Sequence, residues 1–178
     1  MAKGVVWIVS LVVALASGCI NIADAGRQAP PSSVIPGGVY IGEVGFTTTA
    51  SLGGESSTDS GTQTVDQEFN SSGLLLGNDG SPEDIGDTES IDFGWMVVTA
   101  TTTSITATET GLVMGGDVSG EFTAGGYVFT ADGEAVTRFT LLADGTLRYT
   151  STLAMGLEGP YAATGMMTVQ MDGVLEPQ

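Results

Sequence analysis

The sequence predicts an all-β protein, an antiparallel meander of about eight to ten strands closed or half-closed into a barrel. Three observations predict it. From Gly38 onward apolar and polar residues alternate in short runs, the period of a strand with one buried face. In the later half of the chain Asp-Gly occurs at 132–133, 144–145 and 172–173, and that dipeptide between alternating runs is a strong hairpin signal. Thr is frequent and the sole lysine is Lys3, a bias against helices and toward strands. A β-sandwich is the alternative packing of the same strands.

The elements follow in chain order. In VYIGEVGF, Tyr40, Val44 and Phe46 share one side. Glu43 lies on the other side with Val39 and Ile41, and is expected in solvent, since an unpaired buried carboxylate is costly. TQTVDQEF sets Val65, Gln67 and Phe69 opposite Asp66 and Glu68. FNSSGLLLG reads as a turn followed by a short apolar run. ESIDFGWMVVTATTTSITATET holds two strands around Trp95 to Thr108.

RFTLLADGTLRYTSTL admits two registers. A two-residue Asp-Gly loop pairs Leu142 with Leu147 and leaves an arginine on each face. A three-residue loop with Gly145 left-handed pairs Leu142 with Thr146. It gathers Phe139, Leu141, Leu147, Tyr149, Ser151 and Leu153 on one face and puts Arg138 and Arg148 on the other. A one-residue slip exchanges the faces, so the cleaner pattern selects the second register. The same turn at Ala131-Asp132-Gly133 pairs Thr130 with Glu134 and turns Tyr127, Phe129, Ala135, Thr137 and Phe139 inward. YAATGMMTVQM sets Tyr161, Met167, Val169 and Met171 on one side of the last strand.

Composition excludes several chemistries. The 178-residue chain has one cysteine and no histidine, so intrachain disulfides, zinc fingers, iron–sulfur clusters and Cys–His or His-triad catalysis are ruled out. A net charge of −17 is incompatible with nucleic-acid binding through phosphate neutralisation. It suits a solvated, self-repelling surface.

The cysteine has a distinctive setting. Residues 1–18, MAKGVVWIVSLVVALASG, combine a positive Lys3, an apolar run too short to span a bilayer, and small residues before Cys19. Leu15-Ala16-Ser17-Gly18-Cys19 resembles the lipobox of bacterial lipoproteins, with Ala16 where that family most often has Leu. The resemblance implies cleavage before Cys19 and a lipid on its sulfur, hence export and anchorage at the cell envelope. Ile20 follows the cysteine where an Asp would signal inner-membrane retention, which favours the outer membrane in a Gram-negative host. The expected organisation is a signal peptide over 1–18, a lipidated Pro-containing tether over 19–37 and a β-barrel over 38–178. The tether, extended at about 3.1 Å per residue, reaches roughly 50 Å. In size and meander rhythm the barrel resembles lipocalin- and avidin-like barrels, without their motifs.

Candidate sites are few. Tyr40, Trp95, Tyr127 and Tyr149 are candidate ligand-lining rings, each a flat apolar wall with one polar atom. The loop NDGSPEDIGDTESID carries Asp79, Glu83, Asp84, Asp87, Glu89 and Asp92, donors of the kind calcium uses. Its spacing is not that of an EF-hand, so it reads as an exposed acidic loop and no cofactor is expected. The leading expectation is a non-catalytic, envelope-anchored module that binds a small apolar or amphipathic molecule or a carbohydrate. The alternative is a structural or assembly lipoprotein that meets another envelope protein through its outer face or an edge strand. Carboxylate-dependent hydrolysis comes last, because nucleophile and base partners are missing.

Overall fold

The computed structural model describes residues 31–77, 79–92, 97–124, 126–159 and 164–178. Cys19, the leader, most of the tether, Trp95 and Tyr161 lie outside these residues. Nine strands run β1 (Gly38–Leu52), β2 (Glu55–Phe69), β3 (Leu75–Leu76), β4 (Thr88–Asp92), β5 (Val97–Thr108), β6 (Gly111–Ala124), β7 (Tyr127–Leu141), β8 (Leu147–Glu158) and β9 (Thr164–Pro177). They form one antiparallel sheet in the order β3-β2-β1-β9-β8-β7-β6-β5-β4. It is a meander in which β9 returns to pair with β1.

The sheet is curled into an open half-barrel, and two observations measure the curl. Flat, β2 and β7 would lie four strand spacings apart, roughly 19 Å. Yet the rings of Phe69 on β2 and Phe139 on β7 meet edge-on with centroids 5.5 Å apart. The chain between β3 and β4 gives the second. The Glu83 N–H donates to the Leu75 carbonyl at 2.9 Å, and the Gly86 N–H donates to the Thr102 carbonyl at 2.8 Å. Three residues of extended chain span at most about 11 Å. This segment therefore straps β3 to β5, which are seven strand spacings apart around the sheet.

Alternation decides what faces in. Tyr40, Val44 and Phe46 on β1, Phe139 on β7, Leu147, Tyr149, Leu153, Met155 and Leu157 on β8, and Met167, Val169, Met171 and Leu175 on β9 are buried. Their even spacing on each strand is the period of a half-buried sheet. Glu43, Arg138 and Arg148 are exposed. Arg148 forms a bidentate pair with Asp172 at 2.8 and 3.2 Å. Both groups are solvated, so the pair contributes little stability.

The hairpin at Asp144-Gly145 takes the three-residue loop. The Leu142 N–H donates to the Thr146 carbonyl at 2.9 Å, Gly145 has φ +87°, and Asp144 accepts from the Thr146 hydroxyl at 2.7 Å. The Asp-Gly dipeptides at 132–133 and 172–173 are not turns, which corrects the sequence expectation. Asp132 and Gly133 lie inside β7, paired with Ser119 and Val118 on β6 and with Gly156 and Met155 on β8. Asp172 and Gly173 lie inside β9 in the same way. At Gly133 an added Cβ would stand 1.9 Å from the Ala154 carbonyl oxygen. This glycine lets β8 approach closely, the second reason a strand carries one.

The strap carries an acidic group whose ionisation opposes the fold. Burial pushes the Glu83 carboxyl above its ordinary value, and the Asp87 and Asp79 carboxylates push it further. Asp79 already accepts from the Ser81 amide and hydroxyl, and Asp87 accepts from the Asp84 amide at 2.8 Å. A carboxyl raised in the folded state costs stability when ionised. The cost is present at neutral pH and is relieved as pH falls through the raised value. Hydrogen exchange tests this. The Glu83 and Gly86 amides should gain protection, relative to the Leu142 amide, between neutral pH and about pH 5. Equal protection at both values would show that the strap does not sense Glu83.

Candidate functional site

Aromatic rings run in a chain across the inner face of the half-barrel. Tyr40 meets Phe69 edge-on at 5.9 Å, Phe69 meets Phe139 at 5.5 Å, and Phe139 meets Tyr149 at 5.5 Å. Two of the four candidate rings, Tyr40 and Tyr149, thus belong to one cluster, at 2% and 1% exposure. Tyr127 stands apart at the start of β7, 48% exposed. The two buried phenols differ in one respect. The Tyr40 hydroxyl donates to the Pro36 carbonyl at 3.0 Å. The Tyr149 hydroxyl is buried with no hydrogen-bond partner of good geometry.

The neighbours of Tyr149 follow from strand register, because directly paired residues share a face. Ser151, two positions along β8, pairs with Thr137 on β7 and Met171 on β9. The Thr137 and Ser151 hydroxyls lie 3.0 Å apart. Gln63 reaches over from β2, its amide NH₂ 3.9 Å from the Met171 sulfur. Its Oε1 is buried and, like the Tyr149 hydroxyl, unpaired. Glu89 on β4 pairs with Ala100, which pairs with Val118, then Gly133, then Met155. That row contains buried Val118 and Met155, so Glu89 belongs to the inner face.

The electrostatics converge on the same spot. Burial pushes the Tyr149 phenol up to about 12; the Ser151 and Thr137 hydroxyls pull it down, and the Glu89 carboxylate pushes it up. Tyr149 is therefore a neutral phenol throughout the physiological range. Gln63, Thr137, Tyr149, Ser151 and Met171 make a small polar patch on the inner wall. Such an arrangement can hold and orient a small molecule. It presents no nucleophile activated by an adjacent base.

Sequence periodicity turned Tyr149, Ser151 and Thr137 inward. It overlooked Gln63 and Glu89, since a polar residue at an inward position carries no mark of its own. Among the described residues no group of three or more His, Cys, Asp or Glu side chains is placed to hold a metal ion. Compared with family models, curated proteins and solved structures, the chain matches none. The fold and the patch define an open antiparallel β half-barrel with a polar spot on its inner wall, and the functional reading rests on those residues.

Proposed function

We propose that this chain is a non-catalytic binding module, held at the cell envelope by a lipid on Cys19, that takes a small amphipathic molecule against the inner wall of its half-barrel. One observation carries the reading: two buried polar atoms, Tyr149 Oη and Gln63 Oε1, have no hydrogen-bond partner of good geometry. An unsatisfied buried polar group costs about 1–3 kcal/mol. Two within one patch are expensive for a protein that only needs to fold, and useful to one whose ligand completes the bonds.

Native mass spectrometry of the full chain, purified from its host without harsh extraction, tests this. A removable extra mass is expected, absent from Tyr149→Phe and Gln63→Leu. A clean mass from wild type over several preparations would overturn the reading. The same Tyr149→Phe variant separates function from stability. Deleting an unpaired buried hydroxyl should leave the fold equally stable or about 1 kcal/mol more stable in urea unfolding. A large loss would mean that the hydroxyl has a partner within the fold.

A second reading has its own observation. β2 pairs with β3 only at Glu68 and Phe69, so among the described residues its outer edge from Glu55 to Gln67 has no strand beside it. A free edge accepts an extended segment of another protein. This supports the assembly role, and crosslinking from Thr58 to a neighbouring envelope protein would establish it.

A further inference from the structure

We propose that this protein pairs with a second copy of itself, β2 against β2, in an antiparallel two-fold dimer centred on Gly61. The inference rests on the free β2 edge of the assembly reading and commits that edge to one occupant. Three features carry it.

The first is that the edge is long and unguarded. β2 pairs with β1 without a register shift, from Leu52↔Glu55 to Gly38↔Phe69. Its outer side is covered by β3 only at Glu68 and Phe69. Among the described residues, Glu55 to Gln67 therefore presents an even row of backbone donors and acceptors, roughly 43 Å long at the rise of a strand. Proteins commonly blunt such an edge with proline, lysine, a bulge or a very short strand. ESSTDSGTQTVDQ has no proline, no lysine and no bulge. The sheet's other edge strand, β4, is only five residues long.

The second is that the free stretch complements itself. Its midpoint is Gly61. Antiparallel pairing over its full length sets Gly61 against its own copy, Ser60 against Thr62, Asp59 against Gln63, Ser56 against Asp66 and Glu55 against Gln67. Each carboxylate of the stretch then stands opposite a side chain that carries a hydrogen-bond donor, and each pair occurs twice about the axis. A slip of one residue sets Glu55 against Asp66 in one direction and against Glu68 in the other. Like charges directly opposite are destabilising, and the slip also turns the inner face of one copy onto the outer face of the other. A slip of two residues sets Asp59 against Gly61 or Val65, neither of which has a side-chain donor. The third feature is the side chains at the seam. Thr58 opposes Thr64 and Ser60 opposes Thr62, all four exposed and small. Such hydroxyl pairs bond across strands, as the Thr49 and Thr58 hydroxyls do at 3.4 Å between β1 and β2. The net charge of −17 opposes self-association, so the dimer should tighten as salt screens it, while the uncharged ladder bonds are left intact.

Sedimentation of the full chain in a non-ionic detergent tests this. Wild type should be a dimer whose affinity rises between about 0.05 and 0.5 M salt. Ser60→Asp combined with Thr62→Asp places two like-charged pairs about the axis and should weaken the dimer about tenfold. Ser60→Asp combined with Thr62→Lys makes both pairs opposite in sign and should restore it. Both positions are exposed and lie beside the uncharged Thr47 and Gly45 of β1, so neither change faces a charge within its own sheet. If the aspartate pair fails to fold, hydrogen exchange on wild type decides the matter. Alternate amides from Glu55 to Gln67 should gain protection as protein concentration rises, and those of β4 should not. A monomer at every salt concentration overturns the self-pairing and leaves the edge to another envelope protein, which the crosslink from Thr58 detects. A dimer indifferent to both double variants, or edge protection that does not follow concentration, puts the contact elsewhere and also overturns it. A dimer that loosens with salt is held by charge pairs and overturns it as well.

Discussion

Replacing Phe139 with Ala should cost about 3–5 kcal/mol of unfolding free energy, the range for truncating a fully buried Phe. Phe139 is 2% exposed and stands between Phe69 and Tyr149 in the aromatic chain. Its contact with Phe69 joins strands that are not neighbours in the sheet. The substitution therefore removes apolar burial and also one of the contacts that keep the sheet curled. Each edge-on aromatic pair adds about 0.5–1.5 kcal/mol beyond its area. A domain of this size has a total stability of roughly 5–15 kcal/mol, so the variant should sit near its folding threshold. Urea unfolding followed by circular dichroism measures it. Leu153→Ala provides the comparison, since Leu153 is also buried, at 8% exposure, but has no part in the ring chain. A Phe139→Ala loss below about 1 kcal/mol would mean that the strap alone keeps the sheet curled.

The position of Phe139 was legible in the sequence for a sound reason. Only one register of the Asp144-Gly145 hairpin gave clean faces, and Leu142 does bond to Thr146. The inward assignment of Phe129, Ala135 and Thr137 was also correct, although the turn at Asp132-Gly133 invoked for it does not exist. A three-residue loop and an unbroken strand place residues 129 and 135 on the same face, so parity could not tell them apart. The first half of β2 was hidden for a different reason. ESSTDSGTQT contains no large apolar residue, and its strand state comes from backbone pairing with β1 along Leu52↔Glu55 to Glu43↔Thr64. No apolar period exists there to be read. Glu89 was hidden similarly. It sits in a run of acids that reads as solvent-exposed loop, and only its pairing with Ala100 assigns it to the inner face.

Gly133→Ala should be the sharpest single test of the corrected topology. In the structure the new methyl would stand 1.9 Å from the Ala154 oxygen and 2.6 Å from the Met155 Cα. Both belong to the backbone of β8, which is locked on its other side to β9 through Ala154↔Thr168 and Met155↔Met167. Relief requires β7 and β8 to separate, breaking ladder bonds between them. The expected loss is about 3 kcal/mol or more, at the upper end of overpacking effects. Gly145→Ala is the control. It meets no atom within 4 Å and bears only the left-handed φ of +87°, a cost of about 1–2 kcal/mol. Were Asp132-Gly133 a surface turn like Asp144-Gly145, the two alanine variants would lose similar amounts. Two Asp-Gly dipeptides of identical sequence thus carry opposite demands, one for a positive φ and one for an empty Cβ position. The difference between their alanine costs reports which strand runs through and which turns back.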